Sequence, residues 1–243
     1  MGKLQVVMPM AGRGQRYRDA GYKVPKPLIK VDGKPMFLRA LDSVGGIECE
    51  LYLIIRSDAE REFNLTEKIL KHYPEARIRI LDINTRGATE SVMSLEGMLN
   101  LEAPLLILDC DLFFESDRFL YLINQGENIR EDGLLLTFKS EDPRYSYVKS
   151  KGGIAVEVRE KKVISSHALV GAYYWKTAGN FIKFGKECID LGINEGQPEF
   201  YISNTFQKGI ESGAKFKIIE GNFQSFGTPE ELDSYSKFKH HSC

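Results

Sequence analysis

The sequence predicts an α/β fold of three layers, in which a mostly parallel sheet is covered by helices on both faces. Apolar runs alternate with helical patterns through the first half of the chain, which is typical of β-α-β units. These apolar runs are continuous, as expected for strands that are buried on both faces. The length of 243 residues suits one domain of this kind.

The first half predicts strands at residues 4–8, 51–55, 78–81 and 105–108, with helices at 36–44, 59–72 and 89–99. The second half has shorter, strand-rich patterns at 134–139, 147–150, 155–159, 169–175 and 216–219, and helices at 178–191 and 200–211. Gly152 and Gly153 predict a hairpin turn. A last helix begins after Thr228, because Pro229 and Glu231 complete a capping pattern. We therefore expect one domain, 1–243, with a nucleotide-binding half (about 1–131) and a small mixed β acceptor-binding half (about 132–243).

Composition excludes several classes of protein. A net charge of -1 argues against bulk attraction to nucleic acid or to an anionic membrane. No apolar run approaches the roughly 20 residues that a membrane span needs. The four cysteines have no metal or redox spacing, so we expect reduced thiols and a cytoplasmic protein. Their positions are Cys49, Cys110, Cys188 and Cys243.

A glycine loop follows the first strand, in the order Ala11-Gly12-Arg13-Gly14, with Arg16 just beyond. Glycines let backbone amides approach a polyphosphate, and the arginines add positive charge. The loop is not a dinucleotide-binding fingerprint, because Tyr17 occupies the place of the third glycine. It is not a Walker loop either, because no Gly-Lys-Ser/Thr follows Gly14. The pattern favours handling of a nucleoside triphosphate.

This loop and the later Pro25-Lys26-Pro27 resemble the two opening motifs of the nucleotidyltransferase (pyrophosphorylase) family, with Gln15 in place of the usual Thr or Ser. The resemblance implies a GT-A/Rossmann-like nucleotidyltransferase fold and a Mg²⁺-dependent enzyme acting on a nucleoside triphosphate and a phosphorylated small-molecule acceptor. It implies that Arg16 binds the departing pyrophosphate and that Lys26 binds the α-phosphate and the acceptor phosphate. The residues expected to cradle the nucleotide are Met10, Ala11, Gly12, Arg13 and Gly14.

An apolar strand delivers Asp109 and Asp111 at its carboxyl end. Alternate residues of an extended segment share a face, and paired carboxylates suit Mg²⁺. The family resemblance implies that Asp111 is the metal ligand, with Asp109 a possible second ligand or helper. Alternatively, both aspartates cap the following turn.

Near the carboxyl end the family carries a second metal-binding aspartate, but this chain has Ser225 at that position, before Gly227-Thr228-Pro229. A neutral hydroxyl is a poor Mg²⁺ ligand, so another residue is needed. Glu199 is the candidate replacement. The alternative is that Glu199 is a charged residue in the first turn of a helix.

Two further segments resemble substrate-binding parts of the family. The resemblance implies that Glu160 binds the acceptor's hydroxyls, that Lys161 binds its phosphate and that Gly171 permits its close approach. The alternative is an exposed hairpin edge protected by lysines. In the same way, Gly87 and Ala88 are expected to let the backbone read a base edge, although they also suit a simple helix start.

The predicted function is transfer of a nucleoside monophosphate to a phosphorylated acceptor, with release of pyrophosphate. The opening motifs look most like bacterial members found among capsule and lipopolysaccharide genes, which suggests a sugar 1-phosphate acceptor for surface polysaccharide. Three alternatives stay open: a GT-A glycosyltransferase that uses Asp109-Cys110-Asp111, a CTP:phospho-alcohol cytidylyltransferase, and a weakly active nucleotide-binding homologue.

Overall fold

A nine-stranded mixed sheet runs through the centre of the molecule in the computed structural model, which describes residues 2–126, 129–192 and 199–241, with side chains as far as residue 237. The strand order is β5-β4-β1-β6-β11-β8-β12-β10-β9. These strands are β1 (Leu4–Pro9), β4 (Cys49–Arg56), β5 (Arg77–Leu81), β6 (Leu105–Leu108), β8 (Gly133–Lys139), β9 (Tyr147–Lys151), β10 (Ile154–Arg159), β11 (His167–Trp175) and β12 (Phe216–Glu220). Two short ribbons lie outside the sheet, β2 (Lys30–Val31) with β3 (Lys34–Pro35), and β7 (Leu112–Glu115) with β13 (Asn222–Ser225).

The four strands of the first half are parallel to one another, and the second half is mixed. β11 joins the halves, because it pairs antiparallel with β6 on one side and with β8 on the other. The prediction of a parallel half followed by a mixed β region is confirmed. The glycine loop and Asp109 both follow the carboxyl ends of parallel neighbours, β1 and β6, which is where ligands bind in such sheets.

Helices cover both faces of the sheet. The described helices are α1 (Gln15–Asp19), α2 (Met36–Asp42), α3 (Ser57–Phe63), α4 (Leu65–Leu70), α5 (Ala88–Met93), α6 (Asp117–Gln125), α7 (Ala178–Asp190), α8 (Ile202–Glu211) and α9 (Pro229–His241). Alternate residues of β1 serve different cores. Val6 packs with side chains of α2, α4 and α6, whereas Val7 packs with side chains of α5, α7 and α8. The predicted three-layer architecture is confirmed.

The structure differs from the sequence prediction in a few elements. The helix expected at 59–72 is two helices, because Asn64 adopts a left-handed conformation with φ 48°. The helix expected at 89–99 ends at Met93. The sequence prediction omits α1, α6 and the ribbon of β7 with β13. That ribbon joins residues more than a hundred positions apart, since Ser225 pairs with Leu112, and no local pattern reveals such a pairing.

Within the ranges given above, no helix combines the length and the apolar character that crossing a bilayer requires.

Candidate active site

The second glycine of the loop, Gly14, has a left-handed backbone and lies close to Lys26. Gly14 has φ 60°, and a Cβ added there would lie 3.1 Å from the Cβ of Lys26. The loop therefore packs directly onto the Pro-Lys-Pro segment. Gly12 is different, because an added Cβ would meet nothing within 4 Å. The backbone at Gly12 is open to a ligand, as the sequence predicts for a phosphate cradle.

Lys26 makes an ion pair with Asp111, from its Nζ to Oδ2. The two side chains are 19% and 26% exposed, so the pair is largely but not fully shielded from solvent. Burial lowers the pKa of Lys26, but the charge and hydrogen bond of Asp111, together with the charges of Cys110 and Asp109, outweigh that effect and leave the pKa raised. Lys26 is therefore an ammonium held beside the predicted metal ligand.

Asp109 lies next to the same pair but belongs to the interior. Its backbone N–H donates to the carbonyl of Gly171 over 2.9 Å. Gly171 has φ 98°, and a Cβ there would approach Oδ2 of Asp109 to 2.7 Å. Burial, together with the charge of Asp111, raises the pKa of Asp109. The clearance at Gly171 thus accommodates this chain's own carboxylate, which corrects the prediction that it admits the acceptor.

The carboxyl-terminal segment is attached to Asp111 and to the first helix. Phe226 N–H donates to the carbonyl of Asp111 over 2.7 Å. The hydroxyl of Tyr17 donates to the carbonyls of Phe226 (2.8 Å) and Thr228 (3.0 Å). Tyr17, in α1, is buried in a small apolar cluster with Phe226. These bonds join the glycine loop, Asp111 and the start of α9 into one unit.

Glu231 is the most connected carboxylate of this unit. Its Oε2 accepts hydrogen bonds from Ser225 Oγ (2.7 Å) and from the backbone N–H of Thr228 (3.1 Å). Its Oε1 accepts one from the hydroxyl of Tyr145 (3.1 Å) and lies 3.3 Å from Nη1 of Arg144. The predicted helix start is confirmed, because Glu231 N–H also donates to Thr228 Oγ1 over 3.3 Å. In the sequence, Glu231 stands out only as part of that capping pattern. The pattern does not indicate that Glu231 lies near Asp111.

Arg16 and Arg13 are exposed beside this unit. Hydrogen bonds at the start of α9, and to a smaller extent the charges of Arg144 and Arg16, lower the pKa of Glu230. Arg16 is therefore close enough to α9 to act on a carboxylate there. Lys26 and Asp111 are in contact, and the expectation that Arg16 converges on the same polyphosphate stays a prediction.

Glu160 and Lys161 approach the site from the other half of the sheet. Glu160 accepts hydrogen bonds from Ser146 and from Ser203 (2.7 Å for the latter). Burial raises the pKa of Glu160, and the charge of Glu160 in turn contributes to the raised pKa of Asp109. The Glu160 carboxylate is thus turned inward, unlike the carboxylate of an exposed hairpin edge.

Lys161 has a left-handed backbone, with φ 52°. Its Nζ donates to the hydroxyl of Tyr201 over 2.5 Å and lies 4.5 Å from the centre of that ring. A non-glycine residue in this region carries backbone strain, which is found most often at functional sites. Lys161 is held as a cation at the rim, where an anionic group can reach it.

Glu199 lies near Glu160 and Tyr201. Its charge acts on Glu160 and Tyr201, and the side chain is exposed. Among the described residues, no three or more His, Cys, Asp or Glu side chains form a group that could hold a metal ion. Glu199 therefore does not form a three-carboxylate cluster with Asp109 and Asp111, and its expected role as the replacement ligand stays a prediction. The neighbouring residues 197 and 198 lie outside the described ranges.

The space in which a side chain at Gly87 would lie is filled by the backbone of Phe200. An added Cβ would come within 2.6 Å of the backbone N and O of Phe200. Phe200 N–H donates to the carbonyl of Arg86 (2.7 Å), and Thr89 N–H donates to the carbonyl of Phe200 (3.0 Å). Glycine is therefore required at position 87 by the approach of Phe200, and the expectation that the backbone here reads a base edge stays a prediction. Ala88 begins α5 and packs partly buried against the core.

The donor set fits a magnesium ion. Asp109 and Asp111 are adjacent carboxylates, and their mutual charge is one cause of the raised pKa of Asp109. One ammonium, that of Lys26, occupies the position of a counter-ion at Asp111. Carboxylate oxygens suit Mg²⁺, which typically takes one or two protein carboxylates and completes its shell with phosphates and water.

The chain is similar over most of its length to bifunctional GlmU proteins. It is 23% identical over 234 residues to that of Campylobacter curvus, which covers 93% of this chain and 50% of the relative. It is 25% identical over 241 residues to that of Thermoanaerobacter pseudethanolicus, covering 95% and 48% respectively. The chain thus spans about half the length of the curated relatives it matches. No protein-family model matches it.

Solved structures share the fold. A nucleoside-diphosphate-sugar pyrophosphorylase from Vibrio cholerae has a TM-score of 0.79 at 20% identity, covering 96% of this chain and 100% of that one. The inositol-1-phosphate CTP transferase of T. maritima has a TM-score of 0.76 at 17% identity, covering 97% and 94%. A UDP-glucose pyrophosphorylase complexed with UDP-glucose has a TM-score of 0.78 at 15% identity and covers all of both chains. At these identities the comparison establishes the nucleotidyltransferase fold.

Proposed function

We propose that this chain is a Mg²⁺-dependent nucleotidyltransferase that transfers a nucleoside monophosphate from a nucleoside triphosphate to a sugar 1-phosphate and releases pyrophosphate. The observation that carries the proposal is the ion pair of Lys26 with Asp111 directly beneath an open glycine loop. A phosphate binder and a metal-binding carboxylate in contact suit a triphosphate with its cation. The relatives named above support the same reaction class, and the resemblance to capsule and lipopolysaccharide members supports surface polysaccharide as the destination.

The difficulty of the reaction is electrostatic. Two unit negative charges 4 Å apart repel by about 4 kcal/mol at an effective dielectric constant of 20, and two phosphorylated substrates bring several such pairs together. Catalysis therefore depends mainly on alignment and on neutralisation of charge, and it needs no covalent nucleophile.

The residues divide this work between them. The backbone from Met10 to Gly14 cradles the triphosphate, and Arg16 neutralises the departing pyrophosphate. Lys26 leaves Asp111 to bind the α-phosphate and the incoming acceptor phosphate. Asp111 holds the metal, with Asp109 behind it. When bound, Mg²⁺ supplies positive charge to the phosphate oxygens.

Lys161 and Glu160 define the acceptor side. Lys161 is an exposed cation on a strained backbone, which suits the phosphate of a sugar 1-phosphate. Glu160 is fixed by two serine hydroxyls, which suits recognition of sugar hydroxyls by an acceptor-only group. We expect the reaction in the cytoplasm, where nucleoside triphosphates are available.

The test is a matrix of the common nucleoside triphosphates against sugar 1-phosphates, inositol 1-phosphate and phosphocholine, read by release of pyrophosphate with Mg²⁺ present. We expect release with at least one sugar 1-phosphate, and loss of release on chelation of the metal. Release with a phospho-alcohol alone would move the assignment to a cytidylyltransferase type. Release of a nucleoside diphosphate from a nucleotide sugar, without pyrophosphate chemistry, would replace it by a glycosyltransferase. Triphosphate binding with no turnover across the panel would indicate a nucleotide-binding homologue.

A further inference from the structure

The start of α9 brings a second carboxylate to the metal aspartate. Gly227 is the link, because the position of an added Cβ lies 3.2 Å from Glu231 Oε2, 3.3 Å from Asp111 Oδ2 and 3.4 Å from Ser225 Oγ. Three oxygens therefore surround one small space beside Gly227. A side chain at position 227 would separate the two carboxylates, so glycine is needed for their approach.

The two oxygens of Glu231 have different surroundings. Oε1 faces Tyr145 and Arg144, on the outer side. Oε2 faces Ser225, the Thr228 backbone and, across Gly227, Asp111. The Glu231 side chain is only 16% exposed, so solvent screens its charge less than that of a surface carboxylate. The carboxylate is thus anchored on one side and directed toward the metal aspartate on the other.

We propose that Glu231 is a positioning residue for the divalent cation at Asp111, and that its Oε2 supplies the second negative charge of the cation site. This proposal rests on the proposed function in one respect, namely that phosphate oxygens of the nucleoside triphosphate complete the coordination of the cation. Mg²⁺ is commonly held by one or two carboxylates and keeps several waters, so a carboxylate that acts through a water serves it as well as a direct ligand does. Ser225 contributes by orienting Oε2 through its hydroxyl.

The helix cap alone does not explain this arrangement. A capping box needs only a side-chain oxygen that accepts from a backbone N–H, and glutamine provides one equally. The negative charge of Glu231 is therefore not required by the cap. Arg144 pairs with this charge at Oε1, and a cation at Asp111 would use it at Oε2. Glu231→Gln keeps the cap and removes the charge.

The experiment measures Mn²⁺ binding to the full chain by electron paramagnetic resonance of free Mn²⁺, with and without a nucleoside triphosphate. We expect Glu231→Gln to weaken Mn²⁺ binding about tenfold, as loss of an outer-shell partner does in other metal sites. The matched control is Glu230→Gln, which removes the same charge one residue away from an exposed position. We expect the control to bind Mn²⁺ within about twofold of the wild type, because solvent screens an exposed charge.

Relocation of the charge gives the decisive comparison. Ser225 Oγ is 2.7 Å from Glu231 Oε2 and faces the same space beside Gly227. Ser225→Asp in the Glu231→Gln background should therefore restore Mn²⁺ affinity to within about threefold of the wild type. Because an aspartate at position 225 is itself a candidate metal ligand, Ser225→Asp is also made in the wild type, where we expect a smaller gain in affinity than in the Glu231→Gln background. Thermal unfolding of each variant shows whether the fold is retained.

Equal Mn²⁺ affinities of Glu231→Gln and Glu230→Gln would overturn the proposal. So would a loss in Glu231→Gln that the relocated aspartate does not restore, or a wild type that does not bind Mn²⁺ under either condition. A failure of the proposed function can be distinguished from these outcomes. If the wild type binds Mn²⁺ through Asp111 and Glu231 but releases no pyrophosphate with any substrate pair, the inference stands and the reaction is wrong.

Discussion

Lys26 is tied into the site by three neighbours at once. Its ammonium pairs with Asp111 and lies 5.9 Å from the centre of the Tyr17 ring. Its Cβ lies against Gly14. Burial lowers the pKa of Lys26, and the combined effect of Asp111, Cys110 and Asp109 keeps that pKa raised. The side chain is therefore positioned and charged before any substrate arrives, which reduces the cost of orienting it during the reaction.

Lys26→Ala should lower kcat/KM for nucleotidyl transfer by about tenfold to a hundredfold. One charge-assisted hydrogen bond contributes roughly 1.5–3 kcal/mol, and the lysine is proposed to make at least one to a reacting phosphate. Steady-state pyrophosphate release measures the loss. Lys34→Ala is the control, because Lys34 pairs with Asp42 on an exposed surface. Wild-type rates in Lys26→Ala would show that this lysine takes no part in the reaction.

The two aspartates should respond differently to neutralisation. Asp111 is partly exposed and paired with Lys26, whereas Asp109 is held behind it against Gly171. Asp111→Asn should abolish metal-dependent turnover, and Asp109→Asn should only weaken it. Turnover measured across a Mg²⁺ titration distinguishes them. Equal losses in the two variants would contradict the choice of Asp111 as the primary ligand.

At the scale of elements, the first helix and the carboxyl-terminal segment are joined by one side chain. The hydroxyl of Tyr17 donates to two carbonyls of that segment, and α1 has only five residues. A helix this short has little stability of its own. Its position, and that of Arg16 within it, depends on the contact that Tyr17 makes.

Tyr17→Phe should lower the free energy of unfolding by about 1–3 kcal/mol, because it leaves the buried carbonyl of Phe226 without its hydroxyl donor. The carbonyl of Thr228 keeps the N–H of Leu232 as a donor at 3.2 Å. Urea denaturation followed by circular dichroism measures the change. Tyr22→Phe is a suitable comparison, since the Tyr22 ring packs edge-on against Tyr17 with centroids 5.0 Å apart and is itself only partly buried. We expect it to change stability by less than about 0.5 kcal/mol. A loss in Tyr17→Phe no larger than that in Tyr22→Phe would show that the Tyr17 hydroxyl does not hold the segment.

The end of β10 carries a carboxylate whose burial links stability to pH. Burial raises the pKa of Glu160 above its ordinary value of 4.5; the hydrogen bonds of Ser146 and Ser203 and the charge of Lys161 oppose the rise, and the charge of Glu199 adds to it. The unfolded chain therefore releases this proton at a lower pH than the folded chain does. The free energy of unfolding falls as pH rises from about 4.5 toward the folded pKa.

Glu160→Gln should remove this fall. The variant should gain stability relative to the wild type as pH increases through that window, and the difference should level off above the folded pKa. Urea denaturation at a series of pH values provides the measurement. A difference between the two proteins that stays constant with pH would show that Glu160 is not destabilised by its burial.

At the scale of the whole molecule, one sheet connects the two halves. β11 lies between β6 of the first half and β8 of the second, and the only tryptophan of the sequence, Trp175, is fully buried in it. Its ring packs against Phe206 and Phe216, with centroids 4.3 and 5.0 Å away. Without β11, both β6 and β8 would have an unpaired edge at this position. We therefore expect the two halves to fold as one unit.

Unfolding in urea should accordingly show one transition. Trp175 fluorescence reports the centre of the sheet, and far-ultraviolet circular dichroism reports all elements, so the two midpoints should coincide. Two separated midpoints, or a residual dichroism transition after the tryptophan has become exposed, would show that the nucleotide-binding half is stable by itself.

The sequence by itself determined the layered fold, most strand positions and the glycine loop with its lysine and aspartate. These features are local, because apolar runs, turn residues and short motifs act on their immediate neighbours. Only the tertiary structure decided which residues meet. Gly171 and Gly87 adjoin Asp109 and Phe200 of this chain, Glu199 does not join the aspartates, and Glu231 approaches Asp111 across Gly227. Such contacts join segments far apart in sequence, and their geometry depends on the packing of every element between them.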